Sequence, residues 1–418
     1  MFDLILRNVR LPDQPKAVDI GIDKGFIARI GQLEGASGHK EADGENALVL
    51  PPFVESHTHL DTILTAGEPR RNVSGTLFEG IQIWGERKRK LTREDVVQRA
   101  LKVLKMQLAL GIIHVRSQVD ISDPELTALK ALLEVKQMVA PYMNLQIIAF
   151  PQDGIIACPD NQARLEEALR MGADGVGAIP HFEPTREAAV ASLQYCFSLA
   201  EKYNVMVHAF CDELDDPHSR SLEVVASLAI QTGMEARVTA SHANATAYYQ
   251  EAYFQKLIGL LVASKINIVC CPLINSAMQG RYDPFPKGRG IARIKELWQA
   301  GVNVSIAHDD IRSPFYPLGT GNMLQAAHMA VHLAHMTGVE EMKEAVRMVT
   351  DRAAKTLQIE AKYGIEAGKP ANLIVLAADD TPDLIRLQSV SRYVISNGNV
   401  VAQTVPAMTT FSEEGLWR

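Results

Sequence analysis

Two histidines separated by one residue, His57 and His59, sit in the most reactive stretch of the chain, Glu55-Ser56-His57-Thr58-His59-Leu60-Asp61. On an extended segment, residues two apart project to the same side. Two neutral imidazoles converging in this way suit a borderline-soft divalent metal. A second stretch, His308-Asp309-Asp310, offers a carboxylate to complete such a site, and Gln152, Glu213 and His242 each follow a short apolar run. Together these groups permit hydrolysis by a metal-activated water. Asp309 would take the water's proton, Glu213 would deliver it to a ring nitrogen, and His242 would hold the attacking oxygen or the developing tetrahedral centre. Gln152 has the donor and acceptor needed to read an amide-like edge.

Taken singly, each group also has an ordinary reading. His-x-His alone is a weak signal, Gln152 fits a turn, Glu213 fits the acidic run Asp212–Asp216, and His242 fits a satisfied interior histidine. Their shared position after apolar runs is what argues for a site. His181, in Pro180-His181-Phe182-Glu183, is a further pocket candidate for the same reason. His328, His332 and His335 recur at helical spacing among apolar residues with no carboxylate nearby, which reads as a helix face. Cys270 and Cys271 alternate across a strand and read as core packing.

The elements that must position these groups are eight strand candidates: Leu48–Leu50, Ile112–Gln118, Leu145–Phe150, Gly175–Ile179, Val205–Phe210, Arg237–Ser241, Ile266–Cys270 and Val302–Ile306. After a longer first interval they recur about every thirty residues, the length of one βα unit, and eight such units close a barrel. Barrel enzymes gather their chemistry at the C-terminal strand ends, and strands one and eight are neighbours, which sets Asp309 beside His57 and His59. One helix illustrates the pattern. Thr92 and Asp95 suit a capping box, Val97, Ala100, Leu101, Leu104 and Leu108 share a face, and Gly111 ends it. The expected fold is α/β, a (β/α)8 TIM-like barrel over 48–364 with a small β-sandwich domain formed by both chain ends, 1–47 and 365–418.

Composition narrows the class. With 418 residues, 47% of them hydrophobic, the chain can bury a large core. The net charge of −7 comes without a Lys/Arg-rich block, so nucleic acid is not an expected partner. The N-terminal residues alternate apolar and polar as a strand does and lack a signal-peptide core. No uncharged apolar run approaches the ~20 residues needed to span a bilayer. Five cysteines without a C-x-x-C motif fit a reducing cytoplasm.

At this point the residues resemble the bacterial cytosine deaminase branch of the amidohydrolase superfamily, over nearly the whole chain. The likeness rests on Pro51-Pro52-Phe53-Val54-Glu55, Ser74-Gly75-Thr76-Leu77-Phe78-Glu79-Gly80-Ile81, Ala149-Phe150-Pro151-Gln152, Gly177-Ala178-Ile179-Pro180-His181-Phe182-Glu183, Cys211-Asp212-Glu213, Val238-Thr239-Ala240-Ser241-His242 and His308-Asp309-Asp310. It implies one divalent metal ion, zinc or iron, in a distorted barrel, often in a homo-oligomer. By the same resemblance, His57, His59 and Asp309 would ligate the metal, Gln152 and Glu213 would hold the amide edge of a pyrimidine, and His242 would orient the hydroxide. Asp310 and Phe315 would face the exocyclic or C5 side of the ring. The fourth strand, Gly177-Ala178-Ile179, has no lysine to bridge a second metal.

The sequence departs from that pattern at three places. Phe210 stands where the family has a metal-ligating histidine, three residues before Glu213, and phenylalanine has no donor. His208 lies two residues earlier on the same strand face, about 6.5 Å further into the barrel at ~3.3 Å per residue. Gln118 stands where related members commonly carry histidine, and Cys271 where they commonly carry asparagine. The expected function is hydrolytic deamination of cytosine or a related amino-substituted heterocycle such as 5-methylcytosine or isoguanine. Cyclic amide hydrolysis and a catalytically degenerate barrel that binds a small molecule are the alternatives.

Overall fold

The structure is a computed structural model that describes residues 1–407 and 409–410. Residues 408 and 411–418 of the expected C-terminal segment lie outside the described residues. At the N-terminus, strands β1 (Phe2–Val9), β2 (Val18–Asp23), β3 (Phe26–Gly31) and β4 (Gly38–Asp43) form one sheet in the order β3-β2-β1-β4. A second sheet joins β5 (Leu48–Leu50) to strands from the other end of the chain. Between them in sequence run the eight barrel strands, β6 (Phe53–Thr58), β7 (Ile112–Asp120), β8 (Asn144–Phe150), β9 (Gly175–Ala178), β10 (Met206–Cys211), β11 (Val238–His242), β12 (Asn267–Cys270) and β13 (Asn303–Ile306). The chain closes with β14 (Leu373–Leu376), β15 (Ser391–Ser396) and β16 (Asn399–Gln403), which pair in the order β16-β15-β14-β5.

Strands β6 to β13 lie side by side in sequence order, each parallel to the next, with helices in the intervals. The two ends of this sheet meet. Ser56 Oγ and Ser305 Oγ lie 3.3 Å apart, the Asp309 amide donates to the His57 carbonyl at 3.1 Å, and the Thr58 hydroxyl donates to the Asp309 carbonyl at 2.8 Å. The (β/α)8 TIM-like barrel is present, and the two terminal sheets share one apolar core. Leu4, Leu6, Ile20 and Ile22 from the first pack with Val49, Leu373, Val375 and Ile395 from the second.

The first barrel strand differs from expectation. Leu48–Leu50 pairs antiparallel with β14 in the terminal sheet, and Phe53–Thr58 takes the barrel place. The physical reason is Pro51-Pro52, which interrupts the strand because neither residue has an amide hydrogen to donate to a ladder. The helix Arg93–Ala109 also turns its face by one residue. Val96, Ala100, Val103 and Leu104 are its buried line, while Val97, Leu101 and Leu108 pack at its margin. Thr92 caps it by accepting from the Asp95 amide, whereas the Asp95 carboxylate grips Arg87 and Arg99. No helix among the described residues is long and apolar enough to cross a membrane.

The helix Leu77–Lys88 brings Leu77 and Ile81 over the C-terminal mouth of the barrel. Its anchor is Trp84, 1% exposed, whose indole N–H donates to Asp120 at the end of β7 over 2.9 Å. Trp84→Ala is expected to cost about 3–5 kcal/mol. Trp84→Phe should cost about 1–3 kcal/mol, since it keeps most of the ring and removes one hydrogen bond to a carboxylate that Lys88 and the Ser122 amide still hold. Denaturant midpoints of the two variants check both values, and an unchanged midpoint in Trp84→Phe would show that the hydrogen bond contributes nothing.

Candidate active site

The barrel strand ends supply the site because only there do polar side chains leave the packed interior. Glu55, buried in β6, accepts from the backbone amides of His57 (3.3 Å) and His308 (3.1 Å), tying the first strand to the loop after the eighth. Non-glycine residues adopt left-handed backbone at these ends, among them Asp212 (φ 58°), His242 (φ 72°), Ala243 (φ 53°) and Asp309 (φ 70°). Such conformations cost of order 1–3 kcal/mol each and persist where function holds them.

The side chains converge. Asp309 Oδ2 lies 3.6 Å from His57 Nε2 and 3.9 Å from His242 Nε2, and its Oδ1 lies 3.8 Å from His59 Nε2. Glu213 lies between His181, at 3.6 Å, and His242, at 3.7 Å. His59, Gln152, His181, Glu213, His242, Asp309, Asp310 and Phe315 all border one pocket, so the structure assembles the expected polar groups around it, with His57 immediately behind. Phe315 comes close to the helix Leu77–Lys88 because position 80 is glycine. A Cβ there would lie 2.9 Å from the ring and 3.3 Å from its Cα.

Burial sets the charges. It pushes the His57 imidazole well below its ordinary range, with His208 as the next cause, and brings His59 down to about 4 and His242 down to about 3. All three are therefore neutral and carry a lone pair near pH 7. The carboxyls move the other way. Burial raises Glu213 to about 8, helped by the negative charge of Asp310, and raises Asp309 well above the carboxylate range, helped by Asp310 and Glu213. Three carboxyl groups crowded among neutral imidazoles is an arrangement that a cation relieves.

The residues fit a metal. His57 Nε2, His242 Nε2 and Asp309 Oδ1 are buried without a hydrogen-bond partner and face the same space. His208 supports His57 from behind, with its Nε2 3.0 Å from His57 Nδ1. Burial, with the Arg116 guanidinium beside it, holds His208 neutral, and Arg116 Nη1 stands 3.5 Å from its Nδ1 while its Nε2 faces His57. Phe210 adds no donor. Its ring stacks on Phe150 at 4.1 Å between centroids and stands 4.8 Å from His57, 5.6 Å from His59 and 5.2 Å from His242.

Some residues fall outside the assembly, and one joins it unannounced. Gln118 is fully buried and does not line the pocket. On the helix Met323–Leu333, His332 bonds to the His328 carbonyl and His328 to the Ile385 carbonyl of the helix Thr381–Leu387, as a packed helix face does. Cys271, expected in the core, is buried but belongs to a cluster with His57, His242 and Asp309. Its position one residue past β12 is the signal that it shares with the other strand-end groups.

Fold and site together define an amidohydrolase-type barrel, a hydrolase of C–N bonds. The chain belongs to the amidohydrolase family, whose pattern matches residues 40–402. It is similar to 5-methylcytosine deaminase from Klebsiella pneumoniae, solved with 5-fluorocytosine, at 44% identity over 97% of this chain and 99% of that one, with a TM-score of 0.95. It is also similar to N-isopropylammelide isopropyl amidohydrolase from Pseudomonas sp. strain ADP, 29% identical over 96% of this chain and 98% of that protein. A pterin deaminase from Rhizobium rhizogenes is 26% identical over 88% and 83% of the two chains.

Proposed function

We propose that the protein is a metal-dependent hydrolytic deaminase of cytosine or a related amino-substituted heterocycle, with 5-methylcytosine and isoguanine in the same range. The observation that carries this is the single pocket in which Gln152, Glu213, His242, Asp309 and Asp310 face one another beside His57 and His59. The likeness to 5-methylcytosine deaminase supports the substrate class. In this reading His57, His59 and Asp309 hold one divalent ion, zinc or iron, which supplies Lewis acidity and a nucleophilic water near neutral pH.

The protein's own groups do the rest. Gln152 and Glu213 hold the ring's amide edge, and the raised Glu213 carboxyl gives its proton to the ring nitrogen. His242, steadied through Nδ1 by the Asn275 amide at 3.2 Å, positions the attacking water oxygen, and Asp309 takes the water's proton. Asp310 and Phe315 border the exocyclic and C5 side. One water enters; the proton that Asp309 takes passes to the amino group, the C–N bond breaks and ammonia leaves, while the ring nitrogen keeps the proton from Glu213 and the second water proton returns to Glu213. The same reading makes the enzyme cytoplasmic, supported by five unpaired cysteines, and a homo-oligomer, with exposed Val73, Tyr282, Phe285 and Leu318 as candidate contact residues. Protein loaded with zinc or iron(II) should release ammonia from at least one of cytosine, 5-methylcytosine and isoguanine. Full occupancy without ammonia from any of them overturns the proposal.

Phe210 favours one second reading, a barrel that binds its heterocycle without turning it over. Phe210→His places a donor-bearing ring among His57, His59 and His242, and is expected to tighten metal binding by more than about tenfold, the lower range for adjusting a metal's surroundings. Metal titration and turnover of both forms separate the readings. Activity confined to the variant establishes the second.

A further inference from the structure

The expected metal ligands leave Cys271 unexplained. It follows β12, where the Ala307 amide donates to the Cys270 carbonyl and brings this turn alongside the segment leading to Asp309. Its side chain is fully buried. One ligand atom each from His57, His242, Cys271 and Asp309 lie within 4.8 Å of one another. Three unpartnered buried atoms face the same space, His57 Nε2, His242 Nε2 and Asp309 Oδ1, so the thiol is not an isolated cysteine in a core. Donors on one zinc ion lie about 3–4 Å apart, given bonds of about 2.0–2.3 Å, so a small side-chain rotation brings the Cys271 sulfur to an ion held by His57 and Asp309.

We propose that Cys271 is a thiolate ligand of the metal, supplying the donor that Phe210 lacks. The proposal rests on the metal-site reading above and adds its ligand chemistry. Phe210 occupies the side of the cluster formed by β10, and Cys271 enters from β12 on another side. Coordination releases the thiol proton to solvent and leaves the sulfur bound as an anion. A soft sulfur donor beside imidazole nitrogens and one carboxylate selects zinc over hard oxygen-seeking ions such as magnesium or manganese.

Cobalt(II) substitution of the full chain tests this spectroscopically, apart from any activity. The wild type should show visible d–d bands together with a near-ultraviolet sulfur-to-cobalt charge-transfer band. Cys271→Ser and Cys271→Asn should lose the second while keeping the first, and should bind zinc at least about tenfold more weakly. X-ray absorption of the zinc-loaded wild type provides a reading that needs no variant, with one sulfur neighbour expected at about 2.3 Å. Cobalt bound with d–d bands but no sulfur band, a sulfur band that survives in both variants, or a zinc shell of nitrogen and oxygen alone overturns Cys271 as the ligand and leaves the metal site standing. Absence of cobalt and zinc binding overturns both.

Discussion

Glu213→Gln is expected to lower kcat by about 10²–10⁴-fold, the range for loss of a positioned general acid, with metal content unchanged and KM little altered. The carboxyl is held in place by its neighbours. Asp212, in left-handed backbone, accepts from the amides of Ser221 and Leu222 at 2.8 Å each, and the Gln279 amide donates to the Glu213 carbonyl. Glutamine preserves that shape and an N–H donor, so a ring can still be bound. What it lacks is the transferable proton that burial keeps on Glu213, whose pKa is raised to about 8. The acid form is the active one, so kcat/KM of the wild type should fall as pH rises through the titration of Glu213. The glutamine variant should show no such limb. Steady-state ammonia release across pH measures both, and a variant within a few-fold of wild type removes Glu213 from the proton path.

His57→Ala should weaken metal binding by more than about 100-fold. Loss of an outer partner alone typically costs 10–100-fold, and here a donor disappears together with that support. The imidazole faces Asp309 through Nε2 and His208 through Nδ1, so its removal also strands a second, fully buried imidazole. The apo protein should lose about 1–3 kcal/mol from the unsatisfied nitrogen. His208→Phe provides the comparison. It removes only the support and should fall in the 10–100-fold range with stoichiometric binding retained. Competition against a chromogenic chelator gives the affinities, and melts without metal give the stability loss. Equal metal affinity in wild type and His57→Ala would take His57 out of the ligand set.

Much of this architecture is legible in periodicity, and the exceptions have physical causes. Seven of the barrel strands announce themselves as apolar runs because both of their faces are covered. The strand bearing His57 does not, since Phe53-Val54-Glu55-Ser56-His57-Thr58 puts polar groups where pattern expects apolar ones. Its neighbour Leu48–Leu50 has the apolar signature and belongs to the other sheet. Local rules fail there because the strand is shaped by the site that it carries. His57, Asp309 and Glu213 were visible by type and place, and Phe210 by the donor it lacks. Cys271 was hidden by its own chemistry, since a cysteine after an apolar strand reads as a small hydrophobe. The pairing of His208 with His57 required two strands, β10 and β6, to be set across the barrel interior, which sequence spacing alone does not provide.

The place of Leu48–Leu50 bears on how this protein can be cut and rebuilt. The tripeptide is held by a strand more than three hundred residues later in sequence, and only Pro51 and Pro52 separate it from the strand that ends in His57. A barrel excised from its terminal sheets would therefore begin two residues before the strand that carries His57, without the β5–β14 pairing that precedes it. Circular permutation is better placed in the connection between β15 and β16, at Asn397-Gly398, where new ends leave both β5 and its partner β14 inside one continuous chain.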